Sequence, residues 1–232
     1  MTNLSMCLLL VASTGCGLID SDVTNFDLTL PDKSFTVDAT KWQIDQTQAQ
    51  AVLSTNCSSQ PTVCMSAAMQ ACSMGCSGSC NAISQMCDLS LDVGLYQPID
   101  LLAEKPELKS INDEPVIKVT VDSVTYEVTA NSLNVGTPEM TIYVAPKSVM
   151  NPKDAMAKAI GTIPPQPAGQ LTTAPVAIVF TATGKAELAN IMSTFKTPFN
   201  VLVGATLVVS SSTPVPNGKL DAVVHIKGHA GL

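Results

Sequence analysis

The 232-residue chain contains no arginine: all twelve of its basic residues are lysines. Without a guanidinium there is no planar fork for bidentate recognition of phosphate or guanine. A formal charge of −7 also removes the basic footprint that a nucleic-acid partner requires. Histidine is almost as scarce, with only His225 and His229 present. No Gly-x-Ser-x-Gly elbow, His-Glu-x-x-His helix or glycine-rich phosphate loop occurs, so no constellation for nucleophilic, zinc-assisted or phosphoryl chemistry is present. The adjacent pair Asp113-Glu114 has no spacing suited to acid/base work. Aromatics make up 4% of the residues and charged side chains 13%, and no apolar run approaches the roughly twenty residues that span a bilayer as a helix. The expectation is a non-enzymatic protein with no cofactor.

The apolar stretch that does occur, Leu8-Leu9-Leu10-Val11-Ala12, lies near the start and has about the length of a signal-peptide core. Ser13-Thr14-Gly15-Cys16 follows it directly. Small residues immediately before a cysteine resemble the lipobox of bacterial lipoproteins, with Ser13 standing where that family usually carries Leu. The resemblance implies that residues 1–15 are removed and that Cys16 is acylated and becomes the mature N-terminus. Each acyl chain contributes about 0.8 kcal/mol per buried CH2, so more than one chain makes a stable anchor. Gly17 occupies the place where Asp marks inner-membrane retention in enteric lipoproteins, which implies the outer membrane. Residues 16–34 read as a polar tether, with a first strand possible at Phe26–Leu30.

The organisation expected beyond the tether is a helical, cysteine-rich segment over 35–88 followed by a β-sandwich over 89–232. Phe35 and Val37 alternate with polar neighbours, and from Lys41 to Leu53 the apolar residues fall at helical spacing. Six of the eight cysteines, Cys57, Cys64, Cys72, Cys76, Cys80 and Cys87, then crowd into thirty-one residues. In an exported chain an even set of this kind reads as three disulfides, with fifteen possible pairings. Cys57 and Cys64 are seven apart, as are Cys80 and Cys87. This spacing favours two antiparallel helices joined by Cys57–Cys87 and Cys64–Cys80, with Cys72 and Cys76 near the turn. The alternative is soft-metal binding: Met65, Met69 and Met74 with Cys72 and Cys76 supply thioether and thiolate suited to Cu(I).

From Leu89 the composition turns to Val, Ile and Thr. Strands are expected at Leu89–Val93, Ile117–Val121, Val124–Val128, Met140–Ala145, Val176–Thr183, Val201–Ser210 and Leu220–Lys227, the last two joined by a hairpin-like return at Pro214–Gly218. Helical inserts are expected near Pro152–Ile160 and Lys185–Phe195, with a loop or short helix at Glu104–Lys109. Alternation with one wet face points to a mainly β, antiparallel sandwich. The pattern resembles immunoglobulin-like and late-embryogenesis-type modules. In the last strand Leu220, Ala222, Val224 and Ile226 face inward, leaving His225 outward beside Asp221 and Lys227. The expected role is an envelope lipoprotein, held to the membrane by its anchor, whose sandwich is structural or binds a protein or polysaccharide.

Overall fold

The computed structural model describes residues 25–72, 75–111 and 118–231. The signal stretch, Cys16, Met74, Asp113-Glu114 and Ile117 lie outside them. Two antiparallel sheets face one another. In the first, β1 (Asn25–Asp27) and β2 (Lys33–Asp38) lie end to end along one edge of β11 (Lys219–Gly231). β5 (Lys118–Asn131) and the two-residue β8 (Val176–Ala177) follow on the other side of β11. The second sheet runs β3 (Cys76–Cys80), β4 (Cys87–Ile99), β10 (Phe199–Val209), β6 (Met140–Pro146), β7 (Lys158–Ile163) and β9 (Val179–Phe180). The first sheet therefore begins inside the stretch read as tether: Leu28 and Leu30 continue the ladder of β1 by donating to Gly228 and Ile226, until Pro31 ends it.

Alternation selects the inner faces. Val119, Val121, Val124, Tyr126 and Val128 of β5 are buried, although the phase slips by one residue at Asp122-Ser123. A β-bulge absorbs the slip, because Ser123 pairs with Lys227 and Val121 with Gly228, leaving Asp122 unpaired. Gly228 is required there: a Cβ would lie 2.8 Å from the Thr120 carbonyl oxygen. These side chains, with Leu220, Val224 and Ile226, meet Ile142, Val144, Phe199, Val201 and Val203 of the opposite sheet in the main core. Helix α4 (Gly184–Ser193) adds Leu188 and Met192 to it.

One end of the second sheet, at the start of β4 and the end of β10, lies outside the main core and is covered by helices. α1 (Gln46–Leu53) starts after Asp45, whose carboxylate accepts from the N–H groups of Thr47 and Gln48. α2 (Val63–Ala71) packs beside it. Together they bury Ala49, Val52, Leu53, Cys64 and Ala68 against Leu89, Leu91, Leu207 and Val209, forming a second core in which Trp42 touches both clusters. This apolar end would otherwise face water.

Four local expectations are corrected. The helix from Lys41 starts only at Gln46, because Ala39–Trp42 is a 3-10 turn closed by Gln43 at positive φ. The insert at Pro152–Ile160 is not helical: Asn151 and Asp154 accept from the backbone N–H two residues ahead, and these Asx turns lead straight into β7. The second helical insert of the sandwich instead comprises α3 (Leu101–Glu104) and the 3-10 turn Pro106–Ile111, while the other is α4, close to its expected place. Val176–Thr183 is not one strand, since β8 joins one sheet and β9 the other, with buried Ile178 bridging them. Pro214–Gly218 is not a hairpin, because β10 and β11 belong to opposite sheets and the segment crosses between them.

Candidate functional site

The cysteine segment holds three disulfides, Cys57–Cys80, Cys64–Cys87 and Cys72–Cys76. The expected pairs Cys57–Cys87 and Cys64–Cys80 are corrected, and the reason is that only half of the segment is helical. Ser77-Gly78-Ser79 has no apolar residue to alternate, yet Cys76–Cys80 is a strand, held by its pairing with β4 and by its covalent links. Gly78 lets it press against α2, for a Cβ there would lie 2.1 Å from the Cys64 carbonyl oxygen. Cys80 and Cys87 are direct cross-strand partners, so both face the helical side, and each bonds across to it. Cys57, Cys64 and Cys87 are fully buried, and their sulfurs lie within 4.8 Å of one another.

As disulfides these sulfurs are not thiolate ligands. Of the residues proposed for a soft metal, Cys72 and Cys76 bond to each other, while Met65 and Met69 project from α2 at 61% and 68% exposure. His225 points outward as expected and its Nδ1 lies 2.6 Å from Asp32 Oδ1, while His229 meets Asp122 of the bulge at 3.0 Å. Four residues of extended strand separate the two rings by about 13 Å, too far to share one ion.

A groove of about 460 Å³ opens on the outer face of the second sheet. Its floor is Gly94 and Gly204, which pair directly across β4 and β10. The 147–157 segment forms one wall, with Pro152 seated over the glycines; a Cβ on Gly204 would lie 2.6 Å from Pro152 Cβ. Buried Asn200 of β10 pins this segment by donating from Nδ2 to the carbonyls of Lys147 and Val149 at 3.0 and 2.8 Å. Leu202 packs under it with Ala145 and Val149. Around the floor stand Asp92, Glu139, Thr141, Tyr143 and Thr206. Lys153 lies 2.6 Å from Asp92, and Thr206 donates to the same carboxylate at 2.9 Å. The ammonium first, and the hydroxyl after it, hold the Asp92 carboxyl below its ordinary range against the opposing effect of burial. The pair is substantially exposed, so its contribution to stability is small.

Sequence reasoning did not find this groove. The available signal was glycine in the middle of two strands, β4 alternating and β10 mostly apolar, which marks close approach to a sheet face, here by Pro152. No family model matches the chain, and no curated protein or solved structure matches it either.

Proposed function

We propose that this chain is a non-enzymatic lipoprotein of the bacterial envelope, anchored in the outer membrane through acylated Cys16, with a partner-binding β-sandwich. The observation that carries the reading is the pairing of every cysteine from Cys57 to Cys87 in a disulfide. Such bonds persist in oxidising compartments, and three of them within thirty-one residues fit a chain exported by its apolar leader. Among the described residues no helix is long and apolar enough to cross a membrane, and an acylated cysteine supplies attachment without one.

The partner surface is the groove over Gly94 and Gly204. Hydroxyls, carboxylates and one phenol ring line the groove beside Pro152, which packs over the two glycines, and such a polar lining suits a hydrated neutral polymer, so polysaccharide is the favoured partner class. The test of attachment is incorporation of labelled palmitate and partition into detergent. Wild-type protein should take up label and enter the detergent phase, and Cys16→Ser should do neither. Equal partition of both forms would refute the anchor. For the groove, Thr206→Trp fills the space from an exposed position. Unchanged retention of this variant on an envelope polysaccharide that retains the wild type would refute the assignment.

A further inference from the structure

Four cysteines, Cys57, Cys64, Cys80 and Cys87, form two neighbouring disulfides. Cys57 Sγ lies within 4.8 Å of both Cys64 Sγ and Cys87 Sγ, although it is bonded to neither. Cys80 and Cys87 are opposite one another across β3 and β4. The N–H of Cys87 donates to Thr55, on the side away from β3, so this is a non-hydrogen-bonded pair, the kind that brings side chains closest. Neighbouring positions of this sort fall near the Cβ separation that a disulfide needs. Burial is unequal: Cys57, Cys64 and Cys87 are fully enclosed, whereas Cys80 keeps partial exposure.

We propose that Cys80 is the site of attack by an external thiol, and that the attack is relayed through Cys57 into an exchange of the two disulfides. The partner class is a small thiol or a dithiol protein. A thiolate attacks Cys80 Sγ, forms a mixed disulfide there, and breaks Cys57–Cys80, with the electron pair leaving on Cys57. The Cys57 thiolate attacks Cys64 Sγ, forming Cys57–Cys64 and releasing Cys87 as thiolate. Cys87 then attacks Cys80 Sγ, forms Cys80–Cys87 and expels the original thiolate. Two disulfides are present before and after, so no oxidant is consumed and the thiol acts catalytically.

The exchange has a mechanical consequence. In the native pairing both bonds tie the α2 segment to the β3–β4 hairpin. After exchange one bond is local to the helical segment and the other to the hairpin. The helices covering Leu89, Leu91 and Leu207 are then held by packing, by the chain, by Cys72–Cys76 and by the backbone hydrogen bonds that Thr55 and Cys57 make with Cys87 and Gln85. The four cysteines thus form a thiol-triggered release for that cover, a property independent of how the protein is attached to a membrane.

The test is incubation of the native protein with substoichiometric reduced glutathione, quenching with iodoacetamide and peptide mapping without reduction. Peptides joined by Cys57–Cys64 and Cys80–Cys87 should appear in equal amounts as the native pairs are lost, with free thiol staying at the level added. Recovery of the native pairs alone, or their conversion to free thiols without new pairs, would overturn the proposal. In Cys80→Ser the Cys57 thiol is left unpaired, and the variant should distribute among Cys57–Cys64, Cys57–Cys87 and Cys64–Cys87 with no added thiol. A folded variant holding only Cys64–Cys87 would count against the relay. Replacing both Cys72 and Cys76 by Ser should leave the exchange rate unchanged; abolition of exchange would place the entry point at that bond instead.

Discussion

Removal of the Cys64–Cys87 bond by replacing both residues with Ala tests how the covered end of the second sheet is stabilised. The bond closes a separation of 23 residues, for which the chain-entropy model assigns about 3 kcal/mol. The overlapping Cys57–Cys80 bond shortens the path through the unfolded chain. From Cys64 back to Cys57, across that bond and on from Cys80 to Cys87, the loop is about fourteen residues, and the logarithm keeps the contribution near 3 kcal/mol. For a chain of this size that corresponds to a fall in melting temperature of about 6–12 °C. The loss should be local. Both sulfurs sit in the second core with Ala68, Leu89 and Leu207, whereas β5 and β11 pack in the main one. Calorimetry gives the size of the effect and hydrogen exchange gives its place: α1, α2 and β3 should lose protection well before β5 and β11. Simultaneous loss in all of them would refute the division into two cores, and a melting temperature unchanged within error would refute the entropic assignment.

Other outcomes follow from single contacts. Asn200→Ala strips two carbonyls of their buried donor, so a loss of about 1–3 kcal/mol is expected, together with faster exchange across residues 147–157; urea unfolding and exchange both report it. Gly204→Val drives a side chain into Pro152 and should destabilise by about 1–3 kcal/mol, and a Pro152→Ala background should relieve much of it, as a double-mutant cycle would measure. Asp38, which accepts from Thr40 and lies 3.0 Å from the Lys219 ammonium, is held below its ordinary range chiefly by the Thr40 hydroxyl. Because its folded pKa is depressed, its contribution is present above the unfolded value of about 3.9 and fades as pH falls through the folded one. Asp38→Asn should therefore flatten the acid limb of the urea midpoint against pH, and an unchanged limb would count against this pairing.

Much of the architecture is legible along the chain because burial on one face of a strand leaves a period of two. β2, β4, β6 and β11 follow runs in which apolar residues alternate, β10 follows a nearly continuous apolar run, and the phase slip at Asp122-Ser123 records a bulge within a single strand. The inward set Leu220, Val224 and Ile226 and the outward His225 are readable for the same reason. Where pairing rests on backbone and covalent bonds, the pattern is silent. Cys76–Cys80 has no apolar alternation, so its strand and the partners of its two cysteines were hidden, and symmetric spacing suggested a second helix, over Cys80 to Cys87, that is not there.

By itself the sequence determined the sandwich class and the presence of three disulfides, since these depend on composition, parity and local periodicity. The tertiary structure alone decided which cysteines meet, that β10 and β11 lie in opposite sheets, and that Gly94 and Gly204 form one floor. Each of those is a relation between residues far apart in the chain, and local preference does not encode distance across a core. The cover of α1 and α2 over one end of the second sheet arises in the same way, since it joins Ala49, Leu53 and Ala68 to Leu89, Leu91, Leu207 and Val209 across the chain.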